Sequence, residues 1–331
     1  MSVGAAIAGV AMALPERMVS NDQLAARLGV DPAWIAKRTG THERPWASGE
    51  ESLSEFAAQA GRAALEQAGV EPGEVDLVLV ATSTADDITP NAAPLVAGLI
   101  GATRAGALDV GAACTGWVSA LAMACGQIES GRAVHALVVG ADFLSRFLDF
   151  DDRDTAPLFA DGAGAAVLSA TDSPSARVGP IVLRADHSGS HLIRLSRGDR
   201  IRMEGQESFR AAVAAMTRVT AEALEAAGCG VEDIDLFVYH QANSRIIRAV
   251  GERLGLEPDR VVDYVGRFAN ASTATLPIAL SVAQSEGRLE PGHRVLLAAF
   301  GGGLTWGGTV VGWSAPGLAG SNGHPSVMPI G

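Results

Sequence analysis

The chain has 331 residues, 48% of them apolar and 19% charged, with 25 Lys and Arg against 37 Asp and Glu for a formal net charge of −12. That balance argues against a nucleic-acid protein, which needs clustered positive charge, and the apolar content excludes a disordered chain. Cys114, Cys125 and Cys229 are too few for a disulfide framework and lack zinc-ligand spacing, so a reducing, cytoplasmic setting without a metal is expected, and no run approaches the roughly 18 apolar residues of a membrane span.

Met1 to Leu14 is apolar, and with no Lys or Arg before Arg17 it lacks the charged start of a secretory signal, so it predicts a buried first strand. A helix ending at Ala64-Leu65-Glu66-Gln67-Ala68-Gly69 leads through a glycine turn to a strand at Val75–Val80. Ala107–Val110 predicts a strand that passes directly into a helix from about Thr115 to Ile128, and Ala136–Gly140 predicts the next strand. The helix and turn then recur as Ala223-Leu224-Glu225-Ala226-Ala227-Gly228, and Val75–Val80 aligns without a gap to Ile234–Tyr239, both at an offset of 159 residues. A repeat of about half the chain predicts two similar halves, 1–170 and 171–316, not a solenoid of short units. Arg294–Phe300 ends at Gly301-Gly302-Gly303 and predicts a hairpin with Gly308–Trp313, after which 317–331, rich in Gly, Pro and Ser, predicts a mobile tail. Strands apolar throughout belong in a sheet covered on both faces, so the alternation predicts an α/β architecture built twice.

Cys114 stands between a strand and a helix in Ala112-Ala113-Cys114-Thr115-Gly116, small residues that suit a sharp nucleophile elbow. A thiol at a helix N-terminus is expected to favour its thiolate, although a buried structural cysteine fits the same segment. Cys125 reads as core and Cys229 as an inert turn residue. His240 ends the second copy's strand in Tyr239-His240-Gln241-Ala242-Asn243, where open α/β sheets place functional groups, but a capping histidine fits as well. Asn270, in Phe268-Ala269-Asn270-Ala271-Ser272-Thr273, is readable as an N-cap or as a neutral hydrogen-bond donor. Phe300-Gly301-Gly302-Gly303-Leu304-Thr305-Trp306-Gly307 matches neither phosphate-loop fingerprint but could present backbone N–H groups to an oxyanion.

These four separated motifs, with Trp34-Ile35-Ala36-Lys37-Arg38-Thr39-Gly40 and Phe159-Ala160-Asp161-Gly162-Ala163-Gly164, resemble β-ketoacyl-acyl-carrier-protein synthase III of the thiolase-like superfamily, from the first strand through Trp313. The resemblance implies duplicated αβ halves in a five-layered αβαβα core. It implies that Cys114 takes an acyl group from coenzyme A, that His240 and Asn270 stabilise the enolate left when a carrier-bound malonyl group loses carbon dioxide, and that the backbone of Cys114 and Gly302 forms an oxyanion hole. Trp34, Arg38 and Arg153 fall where the family contacts coenzyme A, although the carboxylates around Arg153 offer it an ion-pair reading. Arg210, Arg245 and Arg248, joined by Arg253, are expected to dock an acidic carrier protein, with a merely solvated face as the alternative. Thr89 falls where one protomer of a homodimer reaches the partner's acyl tunnel, and its small size predicts room for a starter larger than acetyl. No permanently bound cofactor is implied. The rival reading is an acyltransferase that uses Cys114 and His240 without decarboxylation, which Asn270 in place of a carboxylate disfavours.

Overall fold

The computed structural model describes residues 3–314, and the predicted tail at 317–331 lies outside them. Five strands, numbered in chain order, form the first sheet: β1 (Gly4–Ala13), β4 (Leu77–Ala81), β5 (Gly106–Val110), β6 (His135–Phe143) and β7 (Asp161–Thr171). Their spatial order is β1-β7-β6-β4-β5, with β4 parallel to both β5 and β6 and with β7 antiparallel to its two neighbours. The second sheet runs β11 (Leu236–Tyr239), β12 (Arg294–Gly301), β13 (Thr305–Gly312), β8 (Val182–Ala185). Two small ribbons pair β2 (Met18–Ser20) with β3 (Glu43–Pro45) and β9 (Ile193–Arg194) with β10 (Arg202–Met203). The apolar first segment is thus β1, and the glycine-rich hairpin joins β12 to β13 in antiparallel register.

Helices complete five layers. Before the first sheet's central strands lie α1 (Asn21–Leu28), α2 (Pro32–Thr39) and α3 (Leu53–Ala68), followed by α4 (Ala92–Ile100) and α5 (Gly116–Glu129). The second half supplies α6 (Gly205–Ala227), α7 (Ser244–Leu254), the single turn α8 (Val265–Phe268) and α9 (Thr275–Ser285). Both sheets bury a face against α5 and α9: Trp117, Leu121 and Ile128 meet Leu276, Ile278 and Leu280 between Leu79 and Val138 on one side and Val238 and Leu297 on the other. Outside this central layer, α3 and α4 cover the first sheet, and α6 and α7 cover the second. This is the αβαβα arrangement that the apolar strands require, because each sheet hides both faces from water.

The 159-residue offset persists in three dimensions. Gly69 ends α3 and Gly228 ends α6, each left-handed at φ 65°, where a residue without Cβ carries no steric cost. Helical turns follow at Pro72–Glu74 and Val231–Asp233, then β4 and β11. Further on, the turn Ala113–Thr115 before α5 corresponds to Ser272–Ala274 before α9, and β6 corresponds to β12. Ala113 at φ 44° and Ser272 at φ 50° occupy equivalent positions, so the elbow carrying Cys114 has a structural twin.

Candidate active site

The two elbows meet where the halves face each other. Gly140 of β6 packs so closely on Thr273 that a Cβ there would lie 2.3 Å from the Thr273 carbonyl oxygen, while a Cβ on Gly301 of β12 would lie 2.8 Å from Cys114 N. Each sheet thus holds the opposite half's elbow at backbone contact. Among the described residues, the non-glycine residues at positive φ are Ala113, Ala269 and Ser272, which flank Cys114 and Asn270. A left-handed non-glycine residue costs on the order of 1–3 kcal/mol, and such strain persists where surrounding packing fixes it, typically at functional sites.

A cavity of about 690 Å³ opens over these elbows, and Cys114, His240 and Asn270 all line it. Cys114 keeps some exposure to this cavity as a residue, yet its thiol sits deep, and burial pushes it up to about 11 despite a hydrogen bond from Ser272 Oγ at 3.5 Å. That direction runs against the expectation of a thiolate at a helix start: the cysteine lies in the turn before α5, where burial disfavours the charged form. His240 is buried at the end of β11, and burial lowers its pKa to about 3, so the imidazole is neutral across the neutral pH range. Its Nδ1 lies 2.6 Å from Thr275 Oγ1. Asn270 Oδ1 accepts the Ser272 N–H at 2.9 Å, a cap-like bond onto the turn before α9 that engages only its oxygen, so its amide N–H groups are available as donors as well.

Beneath the elbows, Asp142 is the one acidic residue of β6 and is fully buried. Its carboxylate accepts from Ser83 N at 2.8 Å, Thr84 Oγ1 at 2.8 Å, and Thr273 N and Oγ1 at 3.2 and 3.0 Å, so it ties the first sheet to the second elbow. Burial pushes its pKa up against those hydrogen bonds. Sequence reasoning passed over Asp142, Ser272 and Thr275. Ser272 lay inside a quoted motif, and a lone carboxylate in an apolar strand was the available signal for Asp142.

Trp34, Arg38, Arg153, Arg210 and Arg245 line the same cavity. Arg38 stacks over the Trp34 ring at 4.8 Å and faces Asp154 at 3.9 Å, while Asp151 pairs with Arg27 at 2.8 Å. No carboxylate among the described residues lies within ion-pair distance of Arg153, so its anticipated ion pair does not form. Arg245 and Arg248 share the exposed face of α7, near exposed Arg210 and Arg253. Gly302 follows Gly301 in the turn packed on Cys114, and a Cβ at 302 would meet Ile193 O at 3.2 Å. Thr89 is exposed and stands apart from this chain's own cavity. Cys125 is core and Cys229 follows the cap of α6. No helix of the described residues is long and apolar enough to cross a membrane.

Comparison with known proteins agrees with this geometry. The family described as 3-Oxoacyl-[acyl-carrier-protein (ACP)] synthase III matches residues 108–187, and its C-terminal counterpart matches residues 224–313. The chain is 43% identical over 315 residues to a β-ketoacyl-[acyl-carrier-protein] synthase III of Granulibacter bethesdensis, covering 92% of this chain and 98% of that protein. The solved structure of 3-oxoacyl-[acyl-carrier-protein] synthase III from Aquifex aeolicus VF5 superposes with a TM-score of 0.90 at 38% identity, covering 93% of this chain and 99% of that one. The priming β-ketosynthase of the R1128 polyketide biosynthetic pathway gives 0.90 at 36% identity, covering 94% and 97%. The chain belongs to the β-ketoacyl-[acyl-carrier-protein] synthase III family.

Proposed function

We propose that the protein joins an acyl-CoA starter to malonyl-acyl-carrier protein by decarboxylative Claisen condensation, initiating fatty acid or polyketide synthesis. Cys114 attacks the acyl-CoA thioester, the C–S bond to coenzyme A breaks, and the acyl group stays on sulfur as free coenzyme A leaves. The malonyl thioester then loses carbon dioxide, and its enolate carbon attacks the acyl-Cys114 carbonyl to give the β-ketoacyl carrier and the free thiol. No permanently bound cofactor takes part, because the departing carboxylate supplies the electron pair.

One observation carries this reading: beside the thiol, the cavity holds a neutral histidine and an asparagine whose oxygen is already engaged. His240 Nδ1 pairs with Thr275 Oγ1, which also reaches the Ser272 carbonyl at 3.1 Å; in the tautomer with its proton on Nε2, His240 joins Asn270 in offering N–H groups to an enolate oxygen. A plain acyltransferase needs a base poised to deprotonate its acceptor, and a histidine so hard to protonate suits that role poorly. The N–H groups of Cys114 and Gly302 are assigned to the oxyanion of the acyl group. Trp34, Arg38 and Arg153 are assigned to coenzyme A, and Arg210, Arg245, Arg248 and Arg253 to the acidic carrier protein.

A homodimer fits the first sheet, whose edge strand β5 has no neighbour on one side among the described residues. Ile88 is 74% exposed there, and Leu95, Leu99 and Leu108 are also exposed, an apolar surface that a second copy would cover. Thr89 adjoins Ile88, which supports its reach into a partner's tunnel and a starter larger than acetyl. The test mixes the protein with malonyl-carrier protein and a panel of acyl-CoA donors and records intact masses, with Cys114→Ala as control. A carrier that exchanges its carboxyl for an acyl group establishes condensation; acylated Cys114 beside an unchanged malonyl carrier supports acyl transfer instead.

A further inference from the structure

An amide that serves an enolate has to be held in place, and the inference here rests on that reading of Asn270. The residue before it, Ala269, has φ 50°, a conformation that persists only where the surroundings impose it. The restraint comes from the other half of the chain. Asn270 N donates to Leu158 O at 3.0 Å, Ala160 N donates to Asn270 O at 2.9 Å, and Phe159 stands opposite Asn270 in a parallel bridge. Residues 157–161 thus form a strap along one side of Asn270.

The far side of the strap is gripped by β3 and the residues that leave it. Because Leu158 and Ala160 turn their polar groups to Asn270, Phe159 turns its carbonyl the other way, into the buried interior. No backbone strand meets it there; the buried Trp46 indole does, its Nε1 donating to Phe159 O at 2.9 Å. Two residues earlier, Arg44 Nη2 donates to Pro157 O at 3.3 Å, and at the strap's end the Asp161 carboxylate accepts from Ala47 N at 2.7 Å and Ser145 N at 2.8 Å. Arg44 is fully buried, and its other hydrogen bonds go to Val19 O and Asn21 Oδ1, which are neutral oxygens. A buried cation met by neutral oxygens is a poor device for stability, so its reach to the strap points to a positional task.

We propose that Trp46 and Arg44 are positioning residues for the decarboxylating step: by fixing residues 157–159 they set where the Asn270 amide meets the enolate oxygen. Neither side chain lines the cavity, so each acts through the strap. Cys114 is fixed separately, by its own elbow and by Gly301 of β12. Loosening the strap therefore separates the two half-reactions, leaving thioester exchange intact while the enolate loses a well-placed donor. Misplacement by about 1 Å costs on the order of 100-fold in rate, and losing one of several restraints should cost about 10-fold.

The test is Trp46→Phe in the full chain, which keeps a ring against Phe150 and removes the indole N–H. Cys114 acylation by acyl-CoA is timed by intact mass, and carbon dioxide release from malonyl-carrier protein is timed on the acylated chain, with Asn270→Ala and the double variant alongside. The expected result is acylation within about twofold of wild type, carbon dioxide release slowed about 10-fold, and no further loss when Trp46→Phe is added to Asn270→Ala. Wild-type release, an equal loss in both half-reactions, or losses that multiply in the double variant would overturn the proposal, since each shows that Trp46 does not work through Asn270. Should Trp46→Phe fail to fold, Arg44→Lys, which retains the charge without the planar fork that reaches Pro157 O, decides on the same readings. If Asn270→Ala releases carbon dioxide at the wild-type rate, or the wild-type chain releases none, the condensation reading is what fails, and the proposal falls with it.

Discussion

Replacing Gly301 by alanine tests whether contact between the glycine turn and the elbow sets the reaction geometry. The new Cβ would stand 2.8 Å from Cys114 N, 3.1 Å from its Cβ and 3.2 Å from its Cα. Ordinary contact begins near 3.4 Å, so the elbow has to retreat by roughly 0.6 Å in a core packed too tightly to absorb it silently. An oxyanion donor works over a window of about 0.4 Å, and losing one donor costs about 10²–10³-fold in rate. Acylation of Cys114 should therefore slow by about 100-fold, or ~2.7 kcal/mol, read as intact mass against time at saturating acyl-CoA. Gly126→Ala on α5 is the control: its Cβ meets nothing within 4 Å, so activity should hold and stability should rise by about 0.5–1 kcal/mol. Gly301→Ala acylating within threefold of wild type, with an unchanged melting temperature, would refute the argument.

Asn270→Ala should leave Cys114 acylation near the wild-type rate yet slow carbon dioxide release from malonyl-carrier protein by about 10²–10³-fold. Thr275→Val keeps the side-chain shape but strips His240 Nδ1 of its partner, so kcat should fall by the equivalent of about 1–3 kcal/mol with KM for malonyl-carrier protein unchanged. Because burial holds His240 at about 3, below its ordinary 6.5, the unfolded chain binds the extra proton between those values. The stability from neutral His240 is whole above pH 6.5 and is lost as pH falls toward 3, so His240→Gln should flatten the drop in melting temperature between pH 7 and pH 4. Trp34→Ala should raise KM for acyl-CoA about 10-fold with little change in kcat, in steady-state kinetics.

Much of the architecture was legible because it is written twice. The alignment of Ala64–Gly69 and Val75–Val80 with their later copies located α3, β4, α6 and β11, since apolar runs and glycine caps depend on local pattern. Cys114, His240 and Asn270 also stood out, and they do line one cavity. The state of the thiol did not follow from the same reading. A helix start argues for thiolate from sequence alone, whereas desolvation depends on how β12 and the second elbow close over the cysteine. Ser272 was hidden for a similar reason: positive φ is imposed by the contacts of β6 with the elbow and has no signature in a serine codon's neighbours. Thr89 is a different case, since within one chain it projects to the surface and its assignment depends on a second copy.

The twin elbows also have an implication for the division of labour. At the 159-residue offset, Thr273 stands where Cys114 stands, and Ser272 stands where Ala113 stands. Two copies of one design thus present different groups: the first elbow carries a thiol, and the second carries hydroxyls and amides beside it. Neither half is a smaller version of the enzyme. Severing the chain between the halves would separate the sulfur from everything proposed to act on it, so any split protein should regain activity only when both pieces reassemble across the interface of α5 and α9.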